Sequence, residues 1–141
     1  MSSPSNYSYS LRQMKHKFDQ LGIEIIIEKN YILLKPPIEM DLWNILASIA
    51  ILFSLPDFQE KDDIWLLSDG YIDVLYSDLE KIKCIAENNF PKYAKRGKTA
   101  IVVKNDQHYN LAVSYADIGK KLPRKIKVFR DFNSAGRWIT E

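Results

Sequence analysis

The chain has 141 residues, 46% of them hydrophobic, with 20 basic side chains against 18 acidic ones. That length accommodates one domain with a sizeable core, and the apolar content excludes a disordered chain. The near-balanced charge excludes a global field of the kind that draws nucleic acid or acidic membranes. A single cysteine, Cys84, excludes an intrachain disulfide framework and any multi-cysteine metal site, which fits a reducing, cytoplasmic location.

Residues 1–22 form a polar, serine-rich tail followed by a short stretch with Met14, Phe18 and Leu21 at the spacing of a weak amphipathic helix. The tail lacks the basic start and apolar run of a signal peptide. The domain proper spans 23–141. Ile23–Glu28 and Tyr31–Lys35 read as two strands joined by Lys29-Asn30, a hairpin that Pro36-Pro37 ends.

Asp41 is placed to cap a helix that runs to Ser54 and is apolar almost all the way round. Leu42 to Leu55 is 14 residues, short of the roughly 20 that cross a bilayer, so no membrane span is expected. Trp43, Leu46, Ala50 and Phe53 follow one helical spacing, and Leu42, Ile45, Ile49 and Leu52 follow another. One set should face the sheet. The other should meet the Met14–Phe18 segment or a second copy of the chain, and a two-fold homodimer is the commonest closed solution.

An acidic loop, Pro56–Asp63, leads to a buried central strand, Ile64–Ser68, and a turn at Asp69-Gly70. Residues 71–76 link to a helix whose Ser77-Asp-Leu-Glu80 start fits a capping box. Its Leu79, Ile82, Ala86, Phe90 and Tyr93 are predicted to face the sheet, with Arg96-Gly97 closing it. Thr99–Val103 is a further buried strand. Asp106 is expected to start a helix carrying Leu111, Tyr115, Ile118 and Leu122 on one face, which Pro123 stops. Ile126, Val128 and Phe129 make the last strand. Asp131 caps a final helix with Phe132, Ala135, Trp138 and Ile139 on one side. The alternation predicts an α/β fold: a mixed sheet, an N-terminal hairpin, and strand–helix units with right-handed crossovers and helices mainly on one face.

The chemistry-bearing residues are sparse. Gly70, Gly97, Gly119 and Gly136 are isolated, so there is no glycine-rich phosphate loop. His16 and His108 have no partner at metal-ligand spacing, and His108, in the first turn of a helix, is expected to face solvent. Cys84 falls mid-helix, away from the helix start that activates thiols. No catalytic set, metal or cofactor is called for.

Two basic runs, Lys92–Lys98 and Lys120–Lys127, should adjoin where helices return to strand starts, complementing helix C-terminal dipoles. Stacking aromatics are scarce there apart from Tyr93, so nucleic acid is not an expected partner. Asp69, Asp73, Asp78 and Asp106 fall at or beyond strand carboxyl ends, the rim where open α/β sheets bind ligands. Capping and turn duties explain the same aspartates. Asp69, Asp106 and His108 are therefore the candidate site of a second reading, a small-ligand or catalytic domain.

The order strand, strand, helix and then three strand–helix units resembles the STAS-like, SpoIIAA-like family, the fold of anti-sigma-factor antagonists and of cytosolic domains of sulfate transporters. The wording of Ala100-Ile-Val-Val103, Tyr109-Asn-Leu-Ala112, Val128-Phe-Arg-Asp131, Ala135 and Trp138-Ile139 is similar to that of bacterial members. The resemblance implies a non-enzymatic regulatory or protein-interaction module in a bacterial cytoplasm, with a protein or a second copy as partner, and it supplies no active site. Anti-sigma antagonists carry a phosphorylatable serine in an Asp-Ser-Ser-Gly-like turn, and that motif is absent here. Ser77 is the nearest positional equivalent and Ser68 the alternative.

Overall fold

The computed structural model describes residues 22–141. The expected Met14–Leu21 helix, and the cover it was to provide, lie outside them. The described residues form seven strands and four α-helices. In order these are β1 (Glu24–Ile27), β2 (Tyr31–Lys35), β3 (Glu39–Asp41), α1 (Leu42–Ser54), a 3-10 turn (Pro56–Gln59), β4 (Asp62–Leu66), β5 (Tyr71–Asp73), α2 (Tyr76–Asn89), β6 (Lys98–Val102), α3 (Asp106–Ile118), β7 (Lys125–Phe129) and α4 (Phe132–Thr140).

The main sheet has the order β1-β2-β4-β6-β7. The β1–β2 hairpin is antiparallel, with Glu24 opposite Lys35, and every other pairing is parallel. Parallel strands need both faces covered, and the period of two delivers this. Trp65, Leu67, Ile101 and Val128 turn toward α1–α3. Ile64, Ala100 and Val102 turn the other way, onto Ala135, Trp138 and Ile139 of α4. The α/β class, the mixed sheet and the alternation are those the sequence predicts.

The structure adds a second sheet. β3 and β5 pair in parallel, Glu39 beside Tyr71, Met40 beside Ile72 and Asp41 beside Asp73. Three residues are too few for an alternation to be recognised in sequence. Met40 and Ile72 are buried while their four neighbours point outward. Gly70 is needed at this junction because a Cβ there would sit 2.7 Å from the Ile38 carbonyl oxygen, which accepts a hydrogen bond from the Tyr71 N–H.

Asp41 caps α1 as expected, accepting from the Asn44 N–H at 2.8 Å. The two apolar sets do not separate as drawn from spacing. Phe53 packs on Phe58 and Phe90, with ring centroids 5.0 and 5.6 Å away, and Leu46 packs on the core. Trp43 and Ala50 face outward, Trp43 at 76% exposure. The set Trp43, Leu46, Ala50 and Phe53 is thus no single interface stripe, because α1 touches α2 as well as the underlying sheet and buries more than one side.

α2 begins two residues earlier than the Ser77 box allows. Its N-cap is Leu75, whose N–H donates to Asp78 Oδ2 at 3.1 Å, and Ser77 is an exposed second residue. Ser77→Ala should therefore change stability by less than about 0.5 kcal/mol, while Asp78→Ala should cost about 1 kcal/mol. Urea melts of the two variants check the assignment, and the reverse ranking would restore Ser77 as the cap. α2 ends at Asn89 rather than near Gly97, since the residue before Pro91 is pushed out of the helical region. Tyr93 lies beyond the end and is 76% exposed instead of facing the sheet. Asn105, not Asp106, caps α3, accepting from the His108 N–H at 2.8 Å. Asp131 caps α4 as predicted, accepting from the Ser134 N–H at 2.7 Å, but Phe132 in its first turn stays exposed.

Candidate functional site

The predicted rim residues share one end of the fold without converging. Asp69 lines a cleft of about 150 Å³ with Lys35, Pro36, Ile38 and Leu66. Asp106 points to solvent and pairs with Arg130 at 2.8 Å. Among the described residues there is no group of three or more His, Cys, Asp or Glu side chains that can hold a metal ion.

His108 is not the solvent-facing histidine of the sequence reading: it is 2% exposed. Its Nε2 accepts the Ile72 N–H at 3.1 Å, and its ring meets Tyr71 edge-on with centroids 5.4 Å apart. The helix start is covered because β5 passes over it, a contact between residues 36 positions apart that no local pattern announces. Accepting at Nε2 requires the neutral ring, and burial holds the imidazole pKa below its usual range. A depressed folded pKa means that the unfolded chain binds the proton first. The stabilising contribution is then complete above the unfolded value of about 6.5 and is lost as pH falls below it. Unfolding free energy should fall between pH 7 and 5 with a slope of up to about 1.4 kcal/mol per pH unit, and His108→Gln should flatten that slope. An unchanged slope in the variant would remove His108 as its source.

Five of the eleven exposed large apolar side chains among the described residues flank the small sheet. Ile38, Trp43, Tyr71, Leu75 and Tyr76 are all more than half exposed; Tyr71 is in β5, Ile38 and Leu75 immediately precede β3 and α2, and Trp43 and Tyr76 lie in the first turns of α1 and α2. Glu39, Asp41 and Asp73 are exposed on the same two strands. Lys61 is the only Lys or Arg between residues 36 and 80, and it lies at the opposite end, before β4. That opposite end carries both basic runs, brought together as expected: Lys98 and Lys125 are register partners, and the Lys125 N–H donates to the Gly97 carbonyl at 2.9 Å.

The least expected feature is internal. Asp63 and Arg124 are 2% and 3% exposed and form a salt bridge of 2.7 Å beneath the helix layer. Asp63 Oδ1 also accepts from Thr99 Oγ1 at 2.8 Å, and its Oδ2 accepts from Trp65 Nε1 at 2.9 Å. Arg124 donates further to the Phe58 carbonyl and lies 3.7 Å from the Phe58 ring centroid. Burial raises the Asp63 pKa, and Arg124, Thr99 and Trp65 act against that rise. Every oxygen of the carboxylate faces a donor, so the ionised form is the one its surroundings satisfy. The sequence assigns Asp63 to an acidic loop and Arg124 to a surface basic run. The only local hint is that Asp63 immediately precedes the apolar run of β4, in register with Thr99.

These groups border a cavity of about 130 Å³ between the sheet and α1–α3. Its walls are otherwise apolar, with Leu52, Trp65, Ile82, Leu111 and Tyr115 among them. Compared with family models, with curated proteins and with solved structures, the chain finds no match in any of the three.

Proposed function

We propose that the chain is a non-enzymatic protein-interaction module of STAS-like type that docks a protein partner on the β3–β5 edge. The carrying observation is the group of exposed apolar side chains there, Trp43 foremost. Large exposed apolar residues scattered singly are ordinary, but five flanking one small sheet and the helix starts that follow it make a surface that favours association. Tryptophan and tyrosine are also the residues that dominate binding energy at interfaces. The flanking Glu39, Asp41 and Asp73, with no nearby cation from the same segment, favour a partner whose apolar anchors are flanked by Lys or Arg. The element order supports the STAS-like fold type. The reading assigns no phosphotransfer to Ser77 or Ser68, and it places the protein in a bacterial cytoplasm.

The test begins with capture of a partner from the native cell, followed by calorimetry with the purified pair. Trp43→Ser should weaken binding at least tenfold, and added salt should weaken it further. Asp41→Asn with Asp73→Asn should abolish that salt dependence while leaving binding measurable. Full affinity in the Trp43→Ser protein would sink this docking surface. A homodimer through Trp43 is the second form of the same reading. Light scattering over a dilution series should then show a dimer that Trp43→Ser makes monomeric, and a monomeric native chain at high micromolar concentration would rule it out.

A further inference from the structure

We propose that the cavity beneath α1–α3 is a binding site for a small, uncharged, mainly apolar molecule about the size of one aromatic ring, bearing a single hydrogen-bonding group. The volume sets the size. A dry apolar cavity of about 150 Å³ is large enough for benzene, and this one is about 130 Å³. The walls set the polarity. Leu52, Ile82, Ile101 and Leu111 offer no hydrogen bonds, and a trapped water needs two to four polar partners to be stable. An apolar guest gives up no hydrogen bond there and packs against the apolar walls.

Charge is excluded by the pair at the cavity's edge. Asp63 and Arg124 neutralise each other, and the carboxylate is occupied by Thr99 and Trp65 as well. An ionic guest would give up its hydration without an unpaired opposite charge to meet. One polar group stands on the wall besides the ion pair and its partners: Tyr115 lines the cavity, near enough to Asp63 to feel its charge. Burial and the nearby Asp63 carboxylate push its pKa up, so it remains a neutral phenol able to donate or accept. The half-buried turn Leu122–Pro123 also borders the space and provides its margin toward the surface.

The proposal does not depend on the docking surface, and its test does not use it. Benzene and phenol are titrated into the full chain while methyl NMR signals are followed. Saturable shifts are expected at Leu52, Ile82 and Leu111 with both probes, and none at the exposed Ile27. Tyr115→Phe should weaken phenol about tenfold, the worth of one hydrogen bond, and leave benzene within twofold. Ala112→Leu and, separately, Ala86→Leu fill the cavity from opposite helices. Each should abolish binding of both probes without lowering the melting temperature. Absence of saturable shifts in the native chain overturns the proposal. So does a melting temperature lowered by both filling variants, which would mean a core already packed. Equal losses of benzene and phenol in Tyr115→Phe would remove the hydrogen-bonding group from the guest. Trp43→Ser should leave every one of these shifts unchanged.

Discussion

Arg124→Met should destabilise the protein by about 3–5 kcal/mol, because removing one partner leaves the other as an uncompensated buried charge. Asp63 is only 2% exposed, and its remaining donors, Thr99 and Trp65, are neutral. The Phe58 carbonyl loses its donor in the same change. Adding Asp63→Asn should recover much of the loss. The amide oxygen can accept from Trp65 Nε1 while the amide NH2 donates to Thr99 Oγ1, which can accept as well as donate, and no charge is left buried. The double variant should therefore be more stable than Arg124→Met alone. Urea unfolding of the three proteins measures this. A double variant that falls by the sum of the two single losses would mean that the charges do not act as a buried pair.

Trp138→Ala should cost a comparable amount, about 3–5 kcal/mol, as truncation of a large buried aromatic does. The indole is 8% exposed and packs in the cluster with Leu33, Ile64, Ala100 and Val102. Phe129 lies 5.7 Å away, ring to ring, and Lys98 Nζ sits 5.2 Å from the ring centroid while donating to the Trp138 carbonyl at 2.7 Å. Trp138→Phe keeps most of the buried area and should recover more than half of the loss. A denaturant melt showing less than about 1 kcal/mol for the alanine variant would mean that α4 contributes little to the second face.

What was legible in the sequence is what is periodic and local. The runs around Ile64, Thr99 and Ile126 are strands because β-branched and apolar residues continue through them, and Ala135, Trp138 and Ile139 share a face at helical spacing. Asp41 and Asp131 cap their helices through bonds that span three residues. The polar interior was illegible because it is held by pairs distant in the chain. Arg124 reaches Asp63 across 61 positions, and His108 reaches Ile72 across 36. A charged side chain in a basic run is ordinarily solvated, and nothing nearby in sequence distinguishes Arg124 from Lys121 or Lys125. The candidate rim fared similarly. Asp69 and Asp106 stand at the predicted end of the sheet, but the β3–β5 pair that shapes it is made of strands too short to show a pattern.

The order of the main sheet, β1-β2-β4-β6-β7, is also the order of the chain. A ribosome therefore delivers each strand to a free edge that is already waiting for it, and no strand has to insert between two others. The second face is completed differently. Its cover, α4, emerges after every strand of the sheet, so a nascent chain that has reached Arg130 holds a nearly finished sheet with Ile64, Ala100 and Val102 without that helix on one side. Emergence of α4 is then the step that closes the hydrophobic layer. A chain arrested before it should be captured by chaperones or aggregate, even though every strand is in place.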